Sequence, residues 1–363
     1  MFQTKKKLAK LLITCMAVAM PLTAALPAKA DASVLGAVIG AGIQMAVQNE
    51  QLKQLNNTEE GRQELFKAMK EKQGVNTDPV LNQRVDSIMA NLTAAIAQVD
   101  PSIKDMPYNY YINPEASFNA ACSLGHNMTI NTGIFSLLTT DDEIAVVLGH
   151  EMGHGQKNHV LKGYQNSIPV NILATAAAAG GGTAGSVGAA VAANYIDAVH
   201  ISKPMEWEAD KLSFEYMTHT SYNLGATAAV WQKVTEEYGS NQGNFAGDLF
   251  SPSDHPGHEE RRDAYAKQLN EYSHGVVTVA DGMVKIHDKE FVAPAAISSM
   301  SGAERSYFVA GNLARYYHRG TKNIAAAHVS GGTVYVGEQA IMTPAAGDLS
   351  AQELADRFNA LQK

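Results

Sequence analysis

Three residues in one short run can do hydrolytic chemistry: His150, Glu151 and His154, in Leu148-Gly149-His150-Glu151-Met152-Gly153-His154. Positions i and i+4 differ by about 40° around a helix, so His150 and His154 project from one face and can converge on one metal ion. Glu151 stands about 100° from His150, beside the pair, where its carboxylate meets a water at the metal rather than the metal itself. The chemistry this pattern suits is metal-assisted hydrolysis. The metal acidifies a water and polarises a carbonyl, and the carboxylate takes the proton. A catalytic zinc needs a third protein ligand and one open position. A His six residues after His154 is one known solution, but that position is Val160. His159 falls about 140° round the helix from His154, so it is expected to point away and to be structural.

The elements around this run must form a buried helix and something to pack it against. Thr140-Asp141-Asp142-Glu143 is a capping box, with acids at the positive end of the helix dipole. The apolar run Ile144-Ala145-Val146-Val147-Leu148 then carries the helix inward to His150. Upstream, helices are expected over 32–54, over 59–72 and from Asp78-Pro79 to about 99, the last with Leu81, Val85, Ile88, Met89 and Leu92 on one face. Tyr108 to Ile112, Ser117 to Ala121 and His126 to Asn131 read as short strands. Downstream, Gly163 to Ile196 holds no charged side chain. Its length would suit a membrane span and keeps membrane-surface proximity open. The glycines at 180–182 favour two packed helices covering the active-site helix. Helices follow over 206–222, 226–238 and 259–271, with a Gly/Ser/Pro/Asp-rich loop between the last two.

The third ligand is sought in Glu206-Trp207-Glu208-Ala209-Asp210. With His150-Glu151-x-x-His154 before it and Asp254-His255-Pro256 and Arg261 after it, this stretch resembles the M48 zinc metallopeptidases. That family includes CAAX prenyl proteases and the HtpX-like and BepA-like proteases. The resemblance covers roughly residues 75–270, with three separated motifs in order. It implies one zinc ion per chain on His150, His154 and Glu206, with Glu151 as general base. Asp210, one turn beyond Glu206, would hydrogen-bond a zinc-bound His and fix its tautomer. Glu208 is expected on the solvated face. His255 is implied as a removable fourth ligand, an inactivating switch, or else as a transition-state stabiliser. His255, Arg261 and Asn119 are the candidates for oxyanion stabilisation. In the family, the strand before the zinc helix serves as a sheet edge to which extended peptide adds, here His126 to Asn131. Two departures touch the backbone geometry: Leu124-Gly125-His126 replaces Pro-Gly-Gly, and Ser213 stands where a Gly is usual.

Composition bounds the rest. The chain has 363 residues, 45% hydrophobic and 18% charged, with a formal net charge of −8, ample for a sizeable core. Residues 1–30 read as a secretory signal: Lys5, Lys6, Lys7 and Lys10, an apolar core to Met20, and Ala28-Lys29-Ala30 as cleavage site. Cleavage before Asp31 would leave a still more acidic chain, in the periplasm or outside the cell. An acidic chain without polybasic runs excludes nucleic acid as a partner. Beyond residue 30 only Cys122 remains, expected as a small buried side chain, so stability must come from packing rather than a disulfide.

After about residue 272 the texture changes. Val279–Ala296 and Val329–Ala346 align at a fixed offset: Gly282 with Gly332, Val284 with Val334, Pro294-Ala295-Ala296 with Pro344-Ala345-Ala346. Each copy alternates as a hairpin and leads into a helix, over 301–317 and 350–361. One such unit cannot bury its own apolar face, so the two are expected to form one small domain. It is either a module docking an envelope partner or a stabilising cap. The expected fold class is α+β: a mainly helical, zincin-type peptidase domain with a small β-sheet over 31–272, and two β-hairpin–helix repeats over 273–363. The expected function is a zinc-dependent metalloendopeptidase of the cell envelope, cleaving unfolded or misassembled proteins. The alternative is a chaperone-like scaffold that uses the repeats to bind partners.

Overall fold

The computed structural model describes residues 49–167, 201–239, 256–320 and 324–362. The expectations for the leader, for most of the uncharged stretch 163–196 and for His255 lie outside these residues. Among the described residues no helix is long and apolar enough to cross a membrane.

The fold is α+β, as expected. Helix α1 (Glu59–Gln73) is capped by Thr58, and α2 (Pro79–Val99) by Asp78, whose carboxylate accepts from the N–H groups of Val80 and Leu81. Helix α2 buries Val85, Ile88, Met89 and Leu92, the face its spacing predicts. A three-stranded sheet follows, of β1 (Asn109–Asn113), β2 (Ala120–Cys122) and β3 (Asn127–Asn131). Its order is β1-β3-β2, with β1 parallel and β2 antiparallel to β3. This corrects one expectation. The strand before the zinc-motif helix is β3, and it is central, so its backbone hydrogen bonds are taken on both sides. Among the described residues, the edges at which an added peptide could pair are β1 and β2. Strand β2 also starts at Ala120, later than expected from Ser117.

The Leu124-Gly125-His126 departure is absorbed by a tight turn in which Gly125 and His126 both adopt positive φ, 66° and 56°. The turn is held from outside: Gly125 N–H donates to Asn56 at 2.9 Å, and Arg62 Nε donates to Gly125 O at 2.7 Å.

Helix α3 (Asp141–Gln156) carries the His-Glu-x-x-His run, and both halves of its capping box form between Thr140 and Glu143. Helix α4 (His159–Ser167) follows at once, across Asn158 with φ 52°. Helix α5 (Lys203–Thr218) lies directly against α3. The close approach comes from two glycines on α3. A Cβ on Gly153 would stand 3.3 Å from Ala209 Cα, and one on Gly149 3.2 Å from Ser213 Oγ. Ser213, the second departure, is fully buried, and its hydroxyl donates to Val146 O at 2.8 Å. Helices α6 (Ala226–Tyr238) and α7 (His258–Tyr272) complete the layer around α3 and α5.

The duplication is visible in the chain path. Strands β4 (Val277–Ala280), β5 (Met283–Ile286) and β6 (Lys289–Val292) form one meander, and β7 (Ala327–Ser330), β8 (Thr333–Val336) and β9 (Gln339–Met342) a second. Each copy is thus three-stranded, one strand more than the hairpin expected. The register irregularity falls at matching places, Val284/Lys285 and Val334/Tyr335. Both first hairpins turn through two residues with positive φ, Asp281-Gly282 and Gly331-Gly332, the turn whose twist matches paired strands. Helices α8 (Gly302–His318) and α9 (Ala351–Leu361) bridge the copies: α8 packs on β4, β5 and β9, and α9 on β6, β7 and β8. Val284, Ile286, Phe291, Leu313, Val336 and Phe358 fill the shared core.

Candidate metal centre

Helix α3 presents His150 and His154 one turn apart, and α5 brings Glu206 to them. The three ligand atoms lie within 4.8 Å of one another, and all three side chains are buried. The Nε2 atoms of His150 and His154 are 3.0 Å apart, and each is 3.4 Å from an oxygen of the Glu206 carboxylate. Ligand atoms of a tetrahedral zinc, at bonds of about 2.0–2.1 Å, stand about 3.3 Å apart. The spacing therefore fits such an ion. Two imidazole nitrogens and a carboxylate are also a donor set that zinc accepts.

The charge around the site favours a cation. Burial and Arg261 push the His150 imidazole down, but Asp210 and Glu206 outweigh them and bring it up to about 9. The carboxylates thus call for positive charge at this ring, and a metal ion at Nε2 answers the same demand.

Glu151 is buried beside the pair. Burial pushes its carboxyl up, and Glu206 adds to that, while His150, His154 and the Cys122 N–H oppose it. The Cys122 N–H donates to Glu151 Oε2 at 3.0 Å, so the carboxylate is pinned to strand β2 at the sheet edge. Cys122 itself is buried, as expected.

Asp210, one turn beyond Glu206, is buried beside His150. His150 Nδ1 donates to Asp210 Oδ1 at 2.9 Å, which leaves the Nε2 lone pair for a metal. Arg261 Nε donates to Asp210 Oδ2 at 2.8 Å and its Nη2 to Oδ1, and Tyr265 OH donates to Oδ1 at 3.0 Å. Burial would raise Asp210, yet Arg261 and His150 beside it hold its carboxyl below the ordinary carboxylate range. Arg261 is itself stacked on Trp231, 3.6 Å from the ring centroid. Its Nε and Nη2 reach Asp210, and Nη2 also lies 3.1 Å from His150 Nδ1, so Arg261 anchors the Asp210–His150 pair. Asn119 is buried just before β2, its carbonyl accepting from Asn131 N–H at 2.8 Å.

Two residues stand otherwise than expected. His159 does not point away: its Nδ1 lies 3.0 Å from His154 Nδ1. The helical angle that sent it elsewhere stops applying because α3 ends at Gln156 and Asn158 turns the chain back. Glu208 is not simply a solvated acid. Its Oε2 is 3.1 Å from His159 Nε2, although the Glu208 side chain is 47% exposed. Burial and the neighbouring His154 push His159 down to about 4. Sequence reasoning missed this pair, since the only signal was a His shortly after the motif.

Known proteases resemble this chain over about half of its length. Metalloprotease LoiP of Escherichia coli (strain K12) is 28% identical over 174 residues, covering 47% of this chain and 66% of that protein. A putative beta-barrel assembly-enhancing protease of Vibrio cholerae serotype O1 is 22% identical over 183 residues, covering 48% of this chain and 37% of its own length. The beta-barrel assembly-enhancing protease of Yersinia pestis is 24% identical over 170 residues, covering 44% of this chain and 34% of its own. The chain thus spans less than two thirds of each of these relatives. The family description Peptidase family M48 matches residues 79–268, just over half of the chain and the whole of the site described above. The chain belongs to peptidase family M48.

Proposed function

We propose that this protein is a zinc-dependent metalloendopeptidase of the cell envelope that cleaves unfolded or misassembled proteins. The observation that carries the reading is the buried triangle of His150, His154 and Glu206 at tetrahedral spacing, with Glu151 held beside it. Bound zinc would supply Lewis acidity, polarising the scissile carbonyl and lowering the pKa of water to about 7. Glu151 takes the proton of the attacking water on its carboxylate and later gives it to the leaving amine. Asp210, backed by Arg261 and Tyr265, keeps His150 in the tautomer that offers Nε2. Strand β2, whose Cys122 N–H touches Glu151, is the edge where an extended peptide would pair by main-chain hydrogen bonds. That mode reads backbone more than side chains and so suits chains without stable folds. The envelope location rests on the signal-like residues 1–30, and relatives named for beta-barrel assembly are in keeping with it. The duplicated module, by the same reading, docks an envelope partner.

The test replaces Glu151 with Gln, which keeps size and removes the base. Zinc content should stay at one per chain while casein cleavage falls about 10²–10⁴-fold. A chelator should abolish cleavage by the unaltered protein, and added zinc should restore it. Cleavage by Glu151→Gln at the original rate would refute the proposal.

A further inference from the structure

The two metal-binding histidines are held by different devices. His150 meets a carboxylate directly, through Asp210. His154 meets another imidazole, that of His159, and the carboxylate of Glu208 stands one step further out. We infer that His159 and Glu208 form a positioning relay that sets the tautomer of His154 and tunes its grip on the metal. This inference rests on the zinc-peptidase reading.

The argument starts from the far end. A carboxylate only accepts, so Glu208 Oε2, 3.1 Å away, requires the proton of His159 on Nε2. A neutral His159 then has a lone pair on Nδ1. Facing it at 3.0 Å is His154 Nδ1, which must therefore donate. A neutral His154 with its proton on Nδ1 has its lone pair on Nε2, the atom that faces Glu206 and His150. The proton positions follow in sequence from one acid, and no other assignment makes both contacts of the relay hydrogen bonds while leaving His154 Nε2 free to bind a metal. His159 is 0% exposed, so water cannot stand in for it. The three residues come from α3, α4 and α5, and the relay also ties the start of α4 to the site. The charge lies two bonds away rather than one, so His154 should be the softer-held ligand and the point where the site responds to change outside it. Glu208, exposed by nearly half its side chain, is the part of the relay that solvent reaches.

The experiment measures zinc dissociation constants by chelator competition on the full chain and four variants. Outer partners of metal-bound histidines are worth about 10–100-fold in metal affinity. His159→Phe should weaken zinc binding within that range. Since a buried change can disturb folding, Glu208 provides the cleaner arm. Glu208→Ala should weaken zinc several-fold with an unchanged melting temperature of the zinc-free protein. Glu208→Gln, which keeps an acceptor oxygen, should recover part of the loss. Glu215→Ala, an exposed acid on the same helix, should change nothing. The ordering original, Gln, Ala at position 208 supports the relay, because a merely structural glutamate would not be rescued by an acceptor. Equal zinc affinity across Glu208, Gln and Ala overturns it while leaving the peptidase reading intact. Failure of the unaltered chain to hold zinc overturns both.

Discussion

Helices α8 and α9 close the two copies of the duplicated module, and they start alike: Ser301-x-x-Glu304 and Ser350-x-x-Glu353. In α9 the pair behaves as a capping box, with Glu353 accepting from Ser350 N–H at 2.9 Å on an exposed surface. In α8 the serine still caps, and the Glu304 carboxyl still meets the Ser301 backbone, but its surroundings are different. It is 3% exposed and stands 3.6 Å from Lys233 Nζ on α6, which also donates to Glu143 in the capping box of α3. The next turns diverge in the same way. Gly311 of α8 lies against Gly225, where a Cβ would come within 2.1 Å of backbone nitrogen, and the position aligned with it in α9 is exposed Ala360. Arg315 donates to Thr220 O and Tyr222 O at the end of α5 and the loop beyond. One copy has become part of the wall that supports the metal-binding helix, and the other keeps the surface chemistry of its repeat. The same local pattern thus yields two structures, because burial decides what a glutamate does.

This contrast can be broken most strongly at Lys233. Lys233→Met leaves Glu143 and Glu304 buried without their cation and should cost about 3–5 kcal/mol, read as a fall in the urea midpoint. A loss below about 1 kcal/mol would mean the cluster is not closed in solution. Gly311→Ala comes next. The added methyl forces α8 off Gly225, at about 1–3 kcal/mol, whereas Ala360→Gly should cost only about 0.5–1 kcal/mol through helix propensity. Equal costs at the two positions would show that α8 does not dock as described.

The smallest effect sharpens the comparison through pH. Burial lifts Glu304 from its ordinary value of 4.5 to about 7, with Glu236 and Glu143 adding and Lys233 opposing. Between those values the folded chain holds a proton that the unfolded chain has released. Its contribution therefore makes stability fall as pH rises from 4.5 to about 7. Glu304→Gln should erase that fall, seen as a flatter plot of urea midpoint against pH. Glu353 carries the opposite sign. The hydrogen bonds from Ser350 hold it below the usual range, so its contribution is present above the ordinary value and is lost as pH drops through the lowered one. A Glu304→Gln plot that tracks the original protein would remove the distinction between the two copies.

Much of the site could be read along one helix. The face shared by His150 and His154, the flank taken by Glu151 and the capping box at Thr140 all follow from helical geometry within a few residues. Glu206 and Asp210 were found only through likeness to a family. Nothing local says that an acid 52 residues after His154 will meet it. His159 was misread because a helical angle was carried past the residue where the helix ends, and Glu208 was read as a solvated acid because nothing local names its partner. Strand β3 was misplaced at an edge because strand order depends on pairing between distant segments, and alternation within a strand carries no information about its neighbours.

What the chain alone determined, then, was whatever repeats within a turn or two: capping, periodic faces, the hairpin turns, and the duplication at its fixed offset. These are set by steric and hydrogen-bonding rules between near neighbours. What tertiary structure decided was which charges meet. Glycines 149 and 153 let α5 approach closely enough for Glu206 to complete the metal triangle, and a buried lysine on another helix became the partner of Glu304. Such choices depend on burial, where the cost of an unpaired charge selects partners that no local pattern names.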